Sequence, residues 1–360
     1  MNAVIDRLDR FSGPLLAALG FANALFFASF LAVLFVALRT LPAAAQDDCR
    51  GENVLDTMRR DDPARYEELM RTAAATVNGD TLLFRIDRDG VDPSWLFGTM
   101  HLTDERVADL PANAEAAFAE AGTVALESTE ILDPAKAQLA LFSKPDLTMF
   151  TGEKDLTDYL TDEQRAVLKE GLAARGLQLA LVQRMKPWLI SGMVALPPCE
   201  FDRKKAGEPF LDLKLAQMAE NDGKQLVGLE TIVEQFDAMA SLPIEFHVQG
   251  LVETIELGDR IDDIMETMIQ LYVDGETGAV WPMLRAASPE MKDDETLAAG
   301  YAEFEKTMVH VRNATMLERA LPLLQEGGAF IAVGALHLPG EKGLAHLIDE
   351  AGYTVTPVYE

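Results

Sequence analysis

The sequence predicts an α/β fold: a central mixed sheet, a ligand site at the carboxyl ends of its strands, and a large helical insertion. Three observations predict it. Phe330-Ile331-Ala332-Val333 is an unbroken apolar run, the pattern of a strand buried on both faces, and a loop, a helical pattern (Leu344, Leu347, Ile348) and a second strand, Tyr353–Val358, follow it. The arrangement of apolar strand then Gly-x-x-His occurs twice. Trp95-Leu96-Phe97 precedes Gly98-Thr99-Met100-His101, and the 330–333 run precedes Gly334-Ala335-Leu336-His337. Two more short apolar segments, Thr123–Leu126 and Gln225–Leu229, stop at Glu127 and Glu230. In open α/β sheets the carboxyl ends of strands are where ligands bind.

In chain order, residues 46–80 read as two helices, Asn53–Arg60 and Pro63–Val77, closed by the turn Asn78-Gly79-Asp80. Leu82–Ile86 and Ser94–Thr99 read as a hairpin across Asp89-Gly90 and Pro93. The Ala-rich helix Pro111–Ala121, closed by Gly122, leads into the strand Thr123–Leu126 and completes a βαβ-like unit. Residues of about 130–222 form the helical insertion. Asp133–Phe142 starts with a capping Asp-Pro, and Thr161–Ala174 carries Leu168 and Leu172 on one face. Leu177–Met193 is interrupted at Lys186-Pro187-Trp188 and ended by Pro197-Pro198. Arg203-Lys204-Lys205 reads as a polar loop, and Leu211–Ala219 as an amphipathic helix. Helices continue over about 231–321. They are Thr231–Ala240, then Pro243–Asp274 as one long helix or a broken pair, Val280–Ala287, and Asp293–Leu321 with Pro322 breaking or kinking its end. The methionines of 243–274 read as core packing.

A formal net charge of −28 lacks the positive footprint that nucleic-acid binding needs. Residues 14–38 are apolar and uncharged, long enough to span a bilayer, with Arg7 and Arg10 before them and Ala43-Ala44-Ala45-Gln46 after. This is a secretory signal peptide cut after Ala45 or a retained amino-terminal membrane anchor; the run exceeds the usual signal core, and Asp6 and Asp9 offset the basic charge. Either way residues 1–45 export a domain of residues 46–360, to the periplasm or cell envelope of a Gram-negative-type cell. The only two cysteines, Cys49 and Cys199, lie beyond that site, and an even count in an exported chain points to one disulfide. Closing so long a loop stabilises by about 4–5 kcal/mol in the entropic model.

If the four strands that end at His101, Glu127, Glu230 and His337 are parallel neighbours, all four side chains converge on one sheet edge. Two imidazoles with one or two carboxylates are the donor set of a divalent metal, such as Zn, Co or Mn. The competing reading is that the histidines cap strand ends and bond loop carbonyls. Glycine three residues before each histidine lets the backbone turn sharply or approach a ligand. Arg312 and Asn313, polar among apolar neighbours, are placed to reach the same edge and to hold a substrate carboxylate or orient a glutamate. His346 and Glu350 read as a surface pair, and His247 as core or rim. No His-Glu-x-x-His, P-loop, Gly-x-Ser-x-Gly or Gly-x-Gly-x-x-Gly occurs.

With these segments assembled, the chain resembles the TraB/GumN family, which is similar to the Tiki membrane-anchored metalloproteases. The segments that carry the resemblance are Leu96–Asp104, Val124–Glu127, Gly228–Thr231 with Glu234-Gln235, Arg312-Asn313, and Val333–Gly340, with Cys49 and Pro197–Glu200. The resemblance implies an α/β fold distantly similar to the erythromycin esterases and the haem-binding ChaN-like group. It also implies His101, His337 and Glu127 as the catalytic set. The expectation is an exported metal-dependent hydrolase, foremost a peptidase. In it His101 and His337 bind the metal, Glu127 is a further ligand or the general base, and Glu230 supports the site. Two alternatives stay open: a metal-independent His/Glu hydrolase, esterase-like, and a non-catalytic protein that binds a peptide, glycan or cofactor in the same cleft.

Overall fold

The computed structural model describes Cys49, residues 51–287 and residues 295–359, the side chains of 295–298 excepted. The apolar segment 14–38 and the cleavage site lie outside the described residues. Among the described residues no helix is long and apolar enough to cross a membrane.

Six strands form one mixed sheet: β1 (Leu83–Asp87), β2 (Ser94–Thr99), β3 (Thr123–Leu126), β4 (Gln225–Gly228), β5 (Ala329–Gly334) and β6 (Thr354–Val358), in the order β4-β3-β5-β2-β1-β6. The four strands from β4 to β2 are mutually parallel, and β1 and β6 complete the sheet antiparallel. β5 runs between β2 and β3, with Phe97 opposite Ala332 and Ala125 opposite Ile331. Its alternating side chains divide the core. Ile331 and Val333 pack with Met316, Ala320 and Leu324 of helix Arg312–Glu326 and with helix Leu344–Glu350. Phe330 and Ala332 pack on the other face with Phe118 of helix Ala112–Glu120 and with Leu211 and Leu215 of helix Leu211–Asn221. A strand covered on both sides must be apolar throughout, which is why 330–333 shows no alternation.

The insertion between β3 and β4 does not keep a core of its own. Leu168, Leu172, Ile190 and Val194 close against Val248, Leu251 and Ile255 of helix Ile244–Leu257, beyond the sheet. Thr161 caps helix Asp162–Ala174 through a capping box, as Thr231 does for helix Ile232–Ala240. The 243–274 segment is a broken pair, Ile244–Leu257 and Arg260–Val273, parted at Gly258.

Two sequence readings need correction. Arg203-Lys204-Lys205 is not in a loop but in the last turn of helix Pro198–Ala206. Pro198 takes the first helical position, where its missing N–H costs nothing, and the basic residues sit at the negative end of the helix dipole. Pro322 does not end its helix, which runs through it to Glu326. The buried stripe Met316–Ala320–Leu324 anchors both sides of the one lost hydrogen bond.

Cys49 and Cys199 are bonded, with Cα atoms 5.6 Å apart and a sequence separation of 150. The bond fixes the start of helix Pro198–Ala206, whose Glu200 is buried and accepts from the Thr103 N–H (2.9 Å) and hydroxyl (2.8 Å). The loop after β2 is thereby held to the disulfide.

Candidate functional site

The parallel order β4-β3-β5-β2 brings Glu230, Glu127, His337 and His101 to one edge, as their strand-end positions predict. Each side chain is then fixed by partners from other elements. His101 Nδ1 donates to Asp212 Oδ2 (2.9 Å), and the Thr99 hydroxyl donates to Asp212 Oδ1 (2.9 Å). A carboxylate only accepts, so the proton sits on Nδ1 and Nε2 faces the cleft. His337 is buried, and its Nδ1 lies 2.6 Å from Asn313 Oδ1. Both amide hydrogens of Asn313 are committed, to the carbonyls of His337 (3.1 Å) and Lys342 (2.7 Å). Asn313 therefore presents oxygen to the ring, which again puts the proton on Nδ1 and leaves Nε2 free.

Both Nε2 atoms face Glu127 Oε1, from His101 at 3.9 Å and from His337 at 3.8 Å. The same oxygen accepts the Gly334 N–H (2.7 Å). Oε2 accepts from Arg312 Nη2 (2.7 Å) and Gln235 Nε2 (3.1 Å). Arg312 also clamps Glu230, with Nε 3.0 Å and Nη2 2.7 Å from its Oε2, and bonds the Met308 carbonyl (3.1 Å) in the π-helical turn Lys306–Val311. Glu230 thus reaches the histidines only through Arg312 and Glu127.

Charge follows from these contacts. The Asp212 carboxylate beside it raises the His101 pKa to about 9. Burial pushes His337 down to about 4, so it is neutral at pH 7. Burial favours protonation of Glu127, but the charged His101, the Arg312 guanidinium and the Gly334 amide outweigh it and hold the carboxyl well below the usual carboxylate range.

The two glycines differ in purpose. A Cβ on Gly334 would stand 3.0 Å from Glu127 Oε1 and 3.8 Å from His101 Nε2, inside the site. One on Gly98 would strike Leu338 and Ala335 instead, at 2.7 and 3.0 Å. Gly98 serves the packing of β2 against the second Gly-x-x-His loop, not the approach of a ligand.

The donor chemistry suits a divalent ion: two imidazoles oriented through Nδ1, one carboxylate, and a backbone that keeps their common space clear of a Cβ. The spacing is wide. Two ligands on a tetrahedral zinc lie roughly 3.4 Å apart, and among the described residues no three His, Cys, Asp or Glu side chains are gathered into a metal cage.

Two other histidines have partners of their own. His346 pairs with Glu350 at 3.6 Å, and His247 is buried with Nε2 2.9 Å from the Met239 carbonyl. Asp212 and Gln235 are the members that sequence reasoning did not assign. Asp212 was detectable: it shares the buried stripe of Leu211, Leu215, Ala216 and Ala219, where a carboxylate must have a partner.

A sequence model of the TraB/PrgY/gumN family matches residues 82–357. The zebrafish (Danio rerio) Metalloprotease TIKI1 is 27% identical over 326 residues, 79% of this chain and 64% of its own length. The Homo sapiens Metalloprotease TIKI1 is 26% identical over 77% of this chain and 61% of its own, and the Danio rerio Metalloprotease TIKI2 27% over 74% and 59%. The chain thus spans about three fifths of the length of these curated relatives. No solved structure matches it.

Proposed function

The chain belongs to the TraB/PrgY/gumN family, and on that premise we propose that it is an exported, metal-dependent hydrolase acting on peptides. One observation carries the reading: two imidazoles, oriented independently by Asp212 and Asn313, present Nε2 to the same carboxylate oxygen of Glu127. The similarity to proteins named metalloproteases supports it. His101 Nε2, His337 Nε2 and Glu127 would hold Zn, Mn or Co. A bound ion polarises a carbonyl and makes water nucleophilic near neutral pH.

The chain's own residues do the rest. Asp212 and Asn313 keep both Nε2 atoms aimed at the cleft, and ligation there would release the His101 Nε2 proton. Arg312 and the Gly334 amide keep Glu127 ionised, and a carboxylate held that acidic is a better anionic ligand than a proton acceptor. This favours Glu127 as a ligand over Glu127 as general base, with Glu230 and Arg312 as its support. Export is supported by the Cys49–Cys199 bond, since disulfides persist in oxidising compartments, and by the apolar segment 14–38. Intact mass of the unreduced protein tests it: a start at Gln46 means cleavage, retention of residues 1–45 means an anchor, and two alkylatable thiols would exclude the disulfide.

A second reading has an observation of its own. The wide Nε2–Oε1 spacing, with a neutral His337 beside it, also fits a metal-free hydrolase in which a histidine activates water. Chelating the purified protein, then reloading Mn, Co or Zn separately against a peptide and ester panel, decides between them. Activity lost on chelation and restored by one ion supports the first reading; activity that survives complete metal removal replaces it with the second. Tight ligand binding with no turnover across the panel would reject both.

A further inference from the structure

His101, Glu127, Asp212 and Arg312 line one end of a cleft of about 780 Å³. Two of its walls are the helices Pro134–Phe142 and Ile232–Ala240, and neither has a fully buried residue. That is unusual for helices of such apolar composition, because a helix in a folded protein normally buries its apolar stripe. Here Leu141 of the first and Phe236 and Met239 of the second line the cleft. Gly192, in helix Pro187–Val194, lines it too, and a Cβ added there would meet nothing within 4 Å.

The polar end repels carboxylates. Glu127, Asp212 and Glu130 line the cleft, Glu130 accepting the Ile232 N–H at 2.6 Å. The two basic side chains among the described lining residues are already engaged, Arg312 by Glu127, Glu230 and the Met308 carbonyl, and His101 by Asp212. The occupant must therefore bring apolar bulk to one end and an uncharged main chain to the other.

We propose that the cleft binds an extended peptide through a bulky apolar side chain, seated between Phe236 and Leu141 over Gly192, with a neighbouring main-chain carbonyl at His101 and Glu127. It follows that cleavage is internal and not at a terminal carboxylate. This specificity rests on the hydrolase reading above, whereas the binding does not.

The test uses the full chain and blocked pentapeptides (acetylated and amidated) with central Phe or central Asp. A third peptide carries a free carboxylate directly after Phe. Binding is read by isothermal calorimetry, and turnover by mass spectrometry after metal loading. The blocked Phe peptide should bind at least tenfold more tightly than either of the others. Gly192→Leu should weaken it at least tenfold, with Phe236→Asp as an independent variant should the first fold poorly. Gly250→Leu, at a helical glycine with equally open space outside the cleft, should bind as wild type. Equal binding of the Phe and Asp peptides, wild-type binding by Gly192→Leu, or no peptide binding at all would overturn the proposal. Selective binding without any turnover leaves the groove standing and rejects the hydrolase; turnover blind to the side chain does the reverse.

Discussion

His101 and His337 follow adjacent parallel strands, β2 and β5, each three residues after a glycine, yet they are held in opposite ways. His101 is gripped by an anion, Asp212, and leaves 53% of its side chain exposed. His337 is gripped by a neutral amide, Asn313, and leaves 6%. One imidazole is pushed toward the cation and the other toward the neutral base, though both aim Nε2 at the same oxygen. A repeated motif therefore fixes position only; a carboxylate from a distant helix sets the charge of one ring and burial sets that of the other.

The most severe way to break this pairing is to remove its members. His101→Ala, Glu127→Ala and His337→Ala should each lower kcat/KM by on the order of 10³-fold or more. Combining two should cost little beyond one, because groups acting as a unit are not additive. Full activity in a folded single variant would mean the histidines do not share a site.

The partners give a smaller effect. Asp212→Asn leaves the shape but offers an amide that can donate to Nδ1 and move the ring proton to Nε2. Activity and metal affinity should fall about 10–100-fold. Asp212→Glu should recover part of both if the carboxylate is what matters; equal loss in Glu and Asn would point to packing alone.

In chelated protein the two histidines should give opposite pH slopes. The folded pKa of His101, about 9, exceeds the roughly 6.5 of an unfolded histidine. Its stabilisation is complete below 6.5 and is lost as pH rises toward 9. His337, at about 4, resists a proton that the unfolded chain accepts, so stability falls as pH drops from 6.5 toward 4. The melting temperature should peak near pH 6.5, and Asp212→Asn should flatten the alkaline slope alone. A slope that persists in that variant would sever His101 charge from Asp212.

Thermal cost should be smaller still and unequal. His337→Ala leaves the fully buried Asn313 oxygen without its partner and should cost about 1–3 kcal/mol. His101→Ala should cost less, because its ring is half open and Asp212 keeps Thr99. His346→Ala, remote from both, should stay within about 0.5 kcal/mol and leave activity unchanged. Calorimetric melts of the three variants order these costs, and an inverted order would contradict the burial argument.

Much of this site was legible in the chain, and for a specific reason. Short apolar strands advertise themselves, and the residues just beyond each one are carried to the same edge whenever the strands are parallel, so His101, Glu127, Glu230 and His337 could be read from position alone. Arg312 and Asn313 were visible as polar interruptions in an apolar helix. What could not be read was the hierarchy: that Glu230 is spent on Arg312, that Asp212 rather than a loop carbonyl holds His101, and that Gln235 reaches Glu127. Those depend on where separate helices meet the sheet edge, which no local pattern encodes. The helix Pro198–Ala206 was missed because two prolines read as an end, when the second was a beginning.

The position of β5 between β3 and β2 has a consequence for biosynthesis. β2 and β3 leave the ribosome more than two hundred residues before the strand that joins them, and until residue 334 is made neither has its partner on that side. Such unpaired parallel edges invite wrong pairing while they wait. They also mean that no amino-terminal fragment holds the whole cluster, since His337 and the Gly334 amide arrive with the same late strand. The proposed metal site is therefore incomplete in every nascent chain until this strand inserts, so metal affinity should appear only once residue 337 has been made.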